Sequence, residues 1–279
     1  MLVFALLAAL IGVLTAGCGS GQPPATPAGS GDAAFRQLAK TILDDRYRRH
    51  PSEATDLGLH QYDDQLEDRS QGAISAEVDA LKDFRSKLTA VDPAWLTATH
   101  ALDRKQLLHA MDEGVLRLDT IKMWAKDPDT YSSTVTNAAY VIMKRDYAPA
   151  SERLRSLIAR EKKMPAALEQ ARVNLTIPVR IYTEIAIEQL DGNISFFKND
   201  VPAAFKGVTD NAMLAELAQV NGEVMRALGA YKVFLQQELL PKATNSFAYG
   251  ADTYVKALAA FEDVNLPLDR LLQVAESDR

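Results

Sequence analysis

Metal-assisted hydrolysis needs several ligands in register, and a compact way to supply them is two histidines four apart on one helix with a glutamate between. The chain has four histidines: His50, His60, His100 and His109. No two are four residues apart, and none opens a His-Glu pair. Its single cysteine, Cys18, cannot form an internal disulfide. No Gly-rich phosphate loop or Gly-x-Ser-x-Gly elbow is present. These spacings predict no catalytic or metal centre and no cofactor held by this chain.

The densest group of reactive side chains is Leu57-Gly58-Leu59-His60-Gln61-Tyr62-Asp63-Asp64. It puts an imidazole, a phenol and two carboxylates in one irregular loop, where polar side chains often carry function. The same residues equally suit a structural role, with Asp63 and Asp64 capping a turn while His60 and Tyr62 bond to nearby backbone. Glu184 and Glu188, four apart on an expected helix, form either a carboxylate pair or a solvated face. Arg46, Arg48, Arg49 and His50 make a small basic patch that is solvated or complements a helix C-terminus. The net charge of −6 over 279 residues disfavours nucleic acid as a partner, because phosphate binding needs a basic face.

These groups must be carried by helices. From Asp32 onward apolar residues recur at steps of three and four, and strand-like alternation is scarce. Phe35, Leu38, Ile42 and Tyr47 mark a first helix, N-capped by Asp32 and ended before Pro51. Val78, Leu81, Phe84 and Leu88 mark a second, from Ser75 to before Pro93. A long third helix is expected from about Thr99 to Lys126, closed by Asp127-Pro128. Others follow Pro149, Pro165 and Pro178. The strongest pattern joins Leu214, Leu217, Asn221, Val224, Leu228, Tyr231, Leu235 and Leu239 into a helix of about 40 Å, ended by Pro241. A shorter helix surrounds Tyr254, Leu258 and Phe261. The apolar content of 47% suffices for a sizeable core. The fold class is all-α, an irregular bundle of long antiparallel helices. A last amphipathic pattern at Leu268, Leu271 and Leu272 runs to Arg279 without Gly or Pro, which reads as a frayed helix or as a fold that continues.

Residues 1–17 differ from the rest. Leu2 to Val13 are apolar apart from Gly12, too short a run to span a bilayer but suited to a secretory signal. The run ends in Leu14-Thr15-Ala16-Gly17-Cys18, which resembles a bacterial lipobox, so lipidation of Cys18 is expected. The competing reading is an ordinary cleaved signal with an incidental cysteine. Residues 18–31, rich in Gly, Ser and Pro, are expected to form a flexible tether to a helical domain at 32–279. An exported protein, lipid-anchored at the periplasmic or extracellular face of the cell envelope, follows.

The stretch Pro51-Ser52-Glu53-Ala54-Thr55-Asp56-Leu57-Gly58-Leu59-His60-Gln61-Tyr62-Asp63, with Leu66, Asp68 and Ser70 after it, resembles the opening of the bacterial family called domain of unknown function 885. Trp124 with Asp127-Pro128 and Tyr131, Arg153-Leu154 with Leu157 and Arg160, and Ala171-Arg172 with Asn174-Leu175 continue the series. Leu240-Pro241-Lys242-Ala243 and Tyr249-Gly250 with Tyr254 complete it. The resemblance implies an all-helical relative of zinc metallopeptidases with a long cleft, and it implies that this chain matches only the front half of that fold. Zinc is implied for a full-length relative only. By the same resemblance His60, Tyr62, Asp63, Arg172, Asn174 and Tyr249 are candidates for facing the cleft, or are packing determinants of the scaffold. The implied partners are a peptide substrate or a missing C-terminal half. The reading is then of a helical region inactive by itself, against the alternative of a lipid-anchored binding or scaffold protein of the envelope.

Overall fold

The computed structural model describes residues 28–278, so Cys18, the signal and most of the tether lie outside the described residues. Thirteen helices follow one another in these residues: α1 (Asp32–Arg49), α2 (Pro51–Asp56), α3 (Gln71–Ala90), α4 (Ala98–Val115), α5 (Met123–Lys126), α6 (Asp129–Met143), α7 (Ala150–Glu161), α8 (Met164–Asn174), α9 (Arg180–Ser195), α10 (Val201–Ala204), α11 (Asn211–Phe234), α12 (Ala251–Glu262) and α13 (Leu268–Ser277). The described residues contain no strand, only an isolated parallel bridge between Val179 and Thr244. The fold is all-α, as the periodicity predicts.

Two apolar centres organise the helices. The larger is built by α6, α7, α8, α9 and α11, whose stripes bury Val135, Ile142, Leu154, Leu157, Leu168, Leu190, Val224 and Leu228. The smaller lies where α3 runs along α4 with α1 across them, around Phe35, Ile42, Leu88 and Met111. Burial of such side chains contributes about 1.5–3 kcal/mol each. The segment 51–69, with α2, bridges the two centres.

Several boundaries differ from the sequence reading, each for a local reason. Asp32 does not cap its own helix. Its Oδ1 accepts the Thr97 N–H at the start of α4, and its Oδ2 meets His100 Nδ1 at 2.9 Å. The last tether residues are docked here: Gly29 and Gly31 both donate their N–H to Trp95 O, and a Cβ on Gly31 would stand 3.2 Å from that carbonyl. The second helix begins at Gln71, because Ser70 Oγ accepts the Ala73 N–H and supplies an N-cap. The expected helix to Lys126 ends as an α-helix at Val115. It then widens into a π-helical segment, Leu116–Ile121, which the left-handed Lys122 (φ 55°) terminates. Similar π segments, Phe196–Asp200 and Leu235–Leu239, extend α9 and α11. In the first of these, Asn221 Nδ2 donates to Phe197 O at 2.6 Å.

α6 had no counterpart in the periodicity reading. Its sequence, DTYSSTVTNAAYVIM, is rich in β-branched and hydroxyl residues with weak helix propensity. Burial of Tyr131, Val135, Ala138, Ala139 and Ile142 overrides that preference. Its hydroxyls bond back along the helix, as Thr134 Oγ1 does to Thr130 O and Thr136 Oγ1 to Ser132 O.

Candidate functional site

The His60 loop owes its shape to α7. The α7 stripe buries Arg153, Leu154, Leu157, Ile158, Arg160 and Glu161, so two charged residues at its end enter the interior. Arg160 is fully buried. Its Nη1 donates to Ala138 O on α6 at 2.8 Å, and its Nη2 reaches Thr55 Oγ1 at 2.6 Å, Pro51 O at 3.3 Å and Tyr62 O at 3.4 Å. Burial lowers the pKa of this guanidinium, while the charges of Glu67 and Asp63 hold it up. One side chain thereby gathers α2, the His60 loop and α6.

Asp63 is buried and committed on both oxygens: Oδ1 accepts from Thr55 Oγ1 at 2.6 Å, and Oδ2 pairs with His60 Nδ1 at 3.0 Å. The His60 ring stacks on Tyr147 with 3.7 Å between centroids. Burial raises the Tyr147 phenol well above its ordinary value, and Asp63 beside it adds to the effect. Glu67 is likewise committed, accepting from Ser52 N at 2.9 Å and Ser52 Oγ at 3.0 Å. The His60–Asp63 pair could orient an imidazole, but the hydroxyl beside it, Thr55 Oγ1, bonds the carboxylate, and no serine, cysteine or threonine among the described residues is hydrogen-bonded to the His60 ring. Its visible work is to shape the loop.

The remaining candidates fall elsewhere. Asn174, buried at the end of α8, donates to Arg69 O at 2.6 Å and so fastens the far end of the same loop. Arg172 lies over the Phe234 ring at 4.5 Å, with Glu169 at 3.0 Å and Glu238 at 3.6 Å. Tyr249 stands in a separate groove of about 490 Å³, lined by Tyr182, Phe247, Tyr249 and Tyr254. Phe247 is 63% and Tyr249 38% exposed. The main chain of residues 245–249 forms no backbone hydrogen bond among the described residues. Gly250, at φ 79°, turns this open stretch into α12.

The structure brings together His60, Tyr62 and Asp63, ties Asn174 to them through Arg69, and separates Tyr249 from all four. Glu184 pairs with Arg180 at 3.5 Å, leaving the Glu184–Glu188 spacing as a helix face. Each member of the basic patch has an acidic partner, Arg46 with Glu53, Arg48 and Arg49 with Asp45, and His50 with Glu77. Sequence reasoning missed Tyr147, Glu161 and the aromatic lining beside Tyr249. The Arg153–Arg160 spacing, two charges seven residues apart on an apolar stripe, was the one available signal.

The zinc that the resemblance implies finds no suitable donor set here. The four histidines sit in four separate pairs, His50–Glu77, His60–Asp63, His100–Asp32 and His109–Asp263. Among the described residues no three His, Cys, Asp or Glu side chains converge on one point.

Glu161 is fully buried, and neither carboxylate oxygen has a hydrogen-bond partner among the described residues. Burial raises its pKa from 4.5 to about 8. The unfolded chain therefore releases this proton at a pH where the fold retains it. The resulting stabilisation is complete below about pH 4.5 and disappears as pH rises to about 8. Glu161→Gln is expected to flatten this dependence and to raise the melting temperature more at pH 8 than at pH 5, by an amount equivalent to a few kcal/mol (~1.4 kcal/mol per pH unit). Equal shifts at both pH values in a thermal melt series would contradict the neutral buried acid.

Comparison with known proteins places this geometry in a family. No curated protein matches the chain. A solved structure from Shewanella oneidensis, a candidate lipoprotein of unknown function, superposes with a TM-score of 0.80 at 24% identity, covering 88% of this chain and 45% of that one. This chain thus spans less than half the length of that neighbour, and the likeness is one of fold. The family match runs over residues 51–278 and does not bear out the expectation that the resemblance is confined to a front half. No helix of the described residues is long and apolar enough to cross a membrane. On the match over residues 51–278, the chain belongs to DUF885, a family of bacterial proteins of unknown function.

Proposed function

We propose that the chain is a lipid-anchored helical region of the cell envelope that holds extended peptide segments, as a non-catalytic wall of a peptidase-like protein. The observation that carries this reading is the groove at Tyr249. Aromatic faces offer sequence-tolerant contact area, and the unpaired main chain of residues 245–249 offers hydrogen bonds to an extended partner. Tyr249 is also one of the six residues that the family resemblance makes candidates for facing a cleft. This reading assigns no hydrolytic step to the described residues, whose histidines are held in separate pairs. The description of the Shewanella neighbour as a candidate lipoprotein supports the anchor, as does the Leu14–Cys18 pattern. The alternative of a self-sufficient binding or scaffold protein is favoured by the closed apolar core of α6–α9 and α11. It shares the same groove.

Fluorescence anisotropy with a labelled unstructured peptide tests the groove. Tyr249→Ala with Tyr254→Ala is expected to weaken binding about tenfold or more, the scale of losing one or two aromatic anchors. Unchanged affinity would remove the groove from the account. In cells, Cys18→Ser is expected to abolish labelling by a fatty-acid probe and to move the protein from the membrane to the soluble fraction. Persisting label would refute the anchor.

A further inference from the structure

A second concavity shares no lining residue with the His60 loop or the aromatic groove, although α12 borders both it and the groove. It measures about 520 Å³ and opens between α3, α4 and α12. That volume falls within the ~300–1,000 Å³ typical of small-molecule sites. Its floor is apolar, formed by Val115, Leu116, Ala259 and Ala260.

Two backbone irregularities meet at this cavity. Leu116, in its wall, is the first residue of the π-helical segment Leu116–Ile121. Such widened turns weaken the regular helix hydrogen bonding and recur at functional sites. Asp263, on the rim, is left-handed at φ 53°. It and Lys122, which ends the π segment at φ 55°, are the two non-glycine residues with positive φ among the described residues. Non-glycine residues in this conformation are strained and are kept where surrounding contacts impose them. At Asp263 those contacts are Lys105 Nζ at 3.3 Å and His109 Nε2 at 3.8 Å, both from α4. The left-handed turn thus clips the end of α12 onto α4, while Arg117 stacks on Phe261 at 4.5 Å from the other side. The cavity is the space this clip holds open.

The rim decides the ligand class. It presents Lys82, Arg85 and Lys256 against Asp112 and Asp263. Asp112 is occupied by Arg85, Asp263 by Lys105 and His109, and Lys82 by Asp119 at 2.9 Å. Lys256 has no ion-pair partner among the described residues. One uncompensated ammonium over an apolar floor is complementary to a molecule with a hydrocarbon body and a single negative head. We propose that this cavity binds a single-chain alkyl carboxylate of the fatty-acid class, the chain lying on Val115, Leu116, Ala259 and Ala260 and the carboxylate meeting Lys256.

Isothermal titration of the folded protein with dodecanoate, dodecyltrimethylammonium and dodecyl maltoside, each below its micelle concentration, tests the assignment. The three share a tail and differ in head charge. Dodecanoate is expected to bind one-to-one and at least about tenfold tighter than the other two, as a charge-assisted contact requires. Lys256→Glu, an exposed substitution whose fold is checked by circular dichroism, is expected to remove that preference while leaving the maltoside affinity unchanged. Absence of dodecanoate binding, equal affinity for the three heads, or an unaltered preference in Lys256→Glu would each overturn the proposal.

Discussion

A guanidinium sealed inside a helical bundle is the constraint from which the rest of this architecture follows. Removing a charge from water costs several kcal/mol unless neighbouring groups compensate. Arg160 is compensated through distance-optimised hydrogen bonds to Ala138 O and Thr55 Oγ1, with weaker ones to Pro51 O and Tyr62 O. Its charge is balanced one step further out by Glu67 and Asp63. Three of these acceptors lie 98 to 109 residues before Arg160 in the chain, and the fourth lies 22 before it. The segment 51–63 is therefore held in one conformation by the end of α7. The buried neutral acid Glu161 beside it in sequence adds a pH-dependent component to the same helix end.

That arrangement explains why a loop with an imidazole, a phenol and carboxylates need not be a reaction centre. Asp63 has given both oxygens to Thr55 and His60, and the His60 face is covered by Tyr147. Glu67 has given both of its oxygens to Ser52. Chemistry of the hydrolytic kind requires at least one such group to be free and aimed at a shared point. The accessible surfaces lie elsewhere, on the aromatic groove around Tyr249 and on the amphipathic cavity under α12. Both are bounded by α12 and its flanking segments, the part of the chain packed least deeply into the main core.

Much of the fold was legible because it rests on three-and-four spacing. The stripe from Leu217 through Val224 to Leu228 and Tyr231 is buried as the pattern requires. Proline boundaries at Pro149 and Pro178 were likewise informative, since each precedes a helix. The failures share one cause, the override of local preference by packing. α6 is helical despite its threonines because Ala138, Ala139 and Ile142 are fully enclosed. The helix expected to reach Lys126 departs from α geometry at Leu116; Ile121 beyond it packs with Ala257 of α12, and Trp124 O accepts the Tyr131 hydroxyl of α6. The site was legible as a composition at residues 57–64 but not as an arrangement. Its organiser, Arg160, lies 98 residues from Tyr62, and no short-range pattern encodes that contact.

We propose that these residues form a binding and scaffolding wall, with no hydrolytic metal centre among the described residues. The most direct test is to dialyse the purified protein against zinc, measure retained metal, and assay cleavage of a fluorogenic peptide library with and without a chelator. The account predicts no stoichiometric retention and no chelator-sensitive cleavage, because His50, His60, His100 and His109 are committed to four different carboxylates. Stoichiometric zinc with peptide cleavage that a chelator abolishes would contradict it.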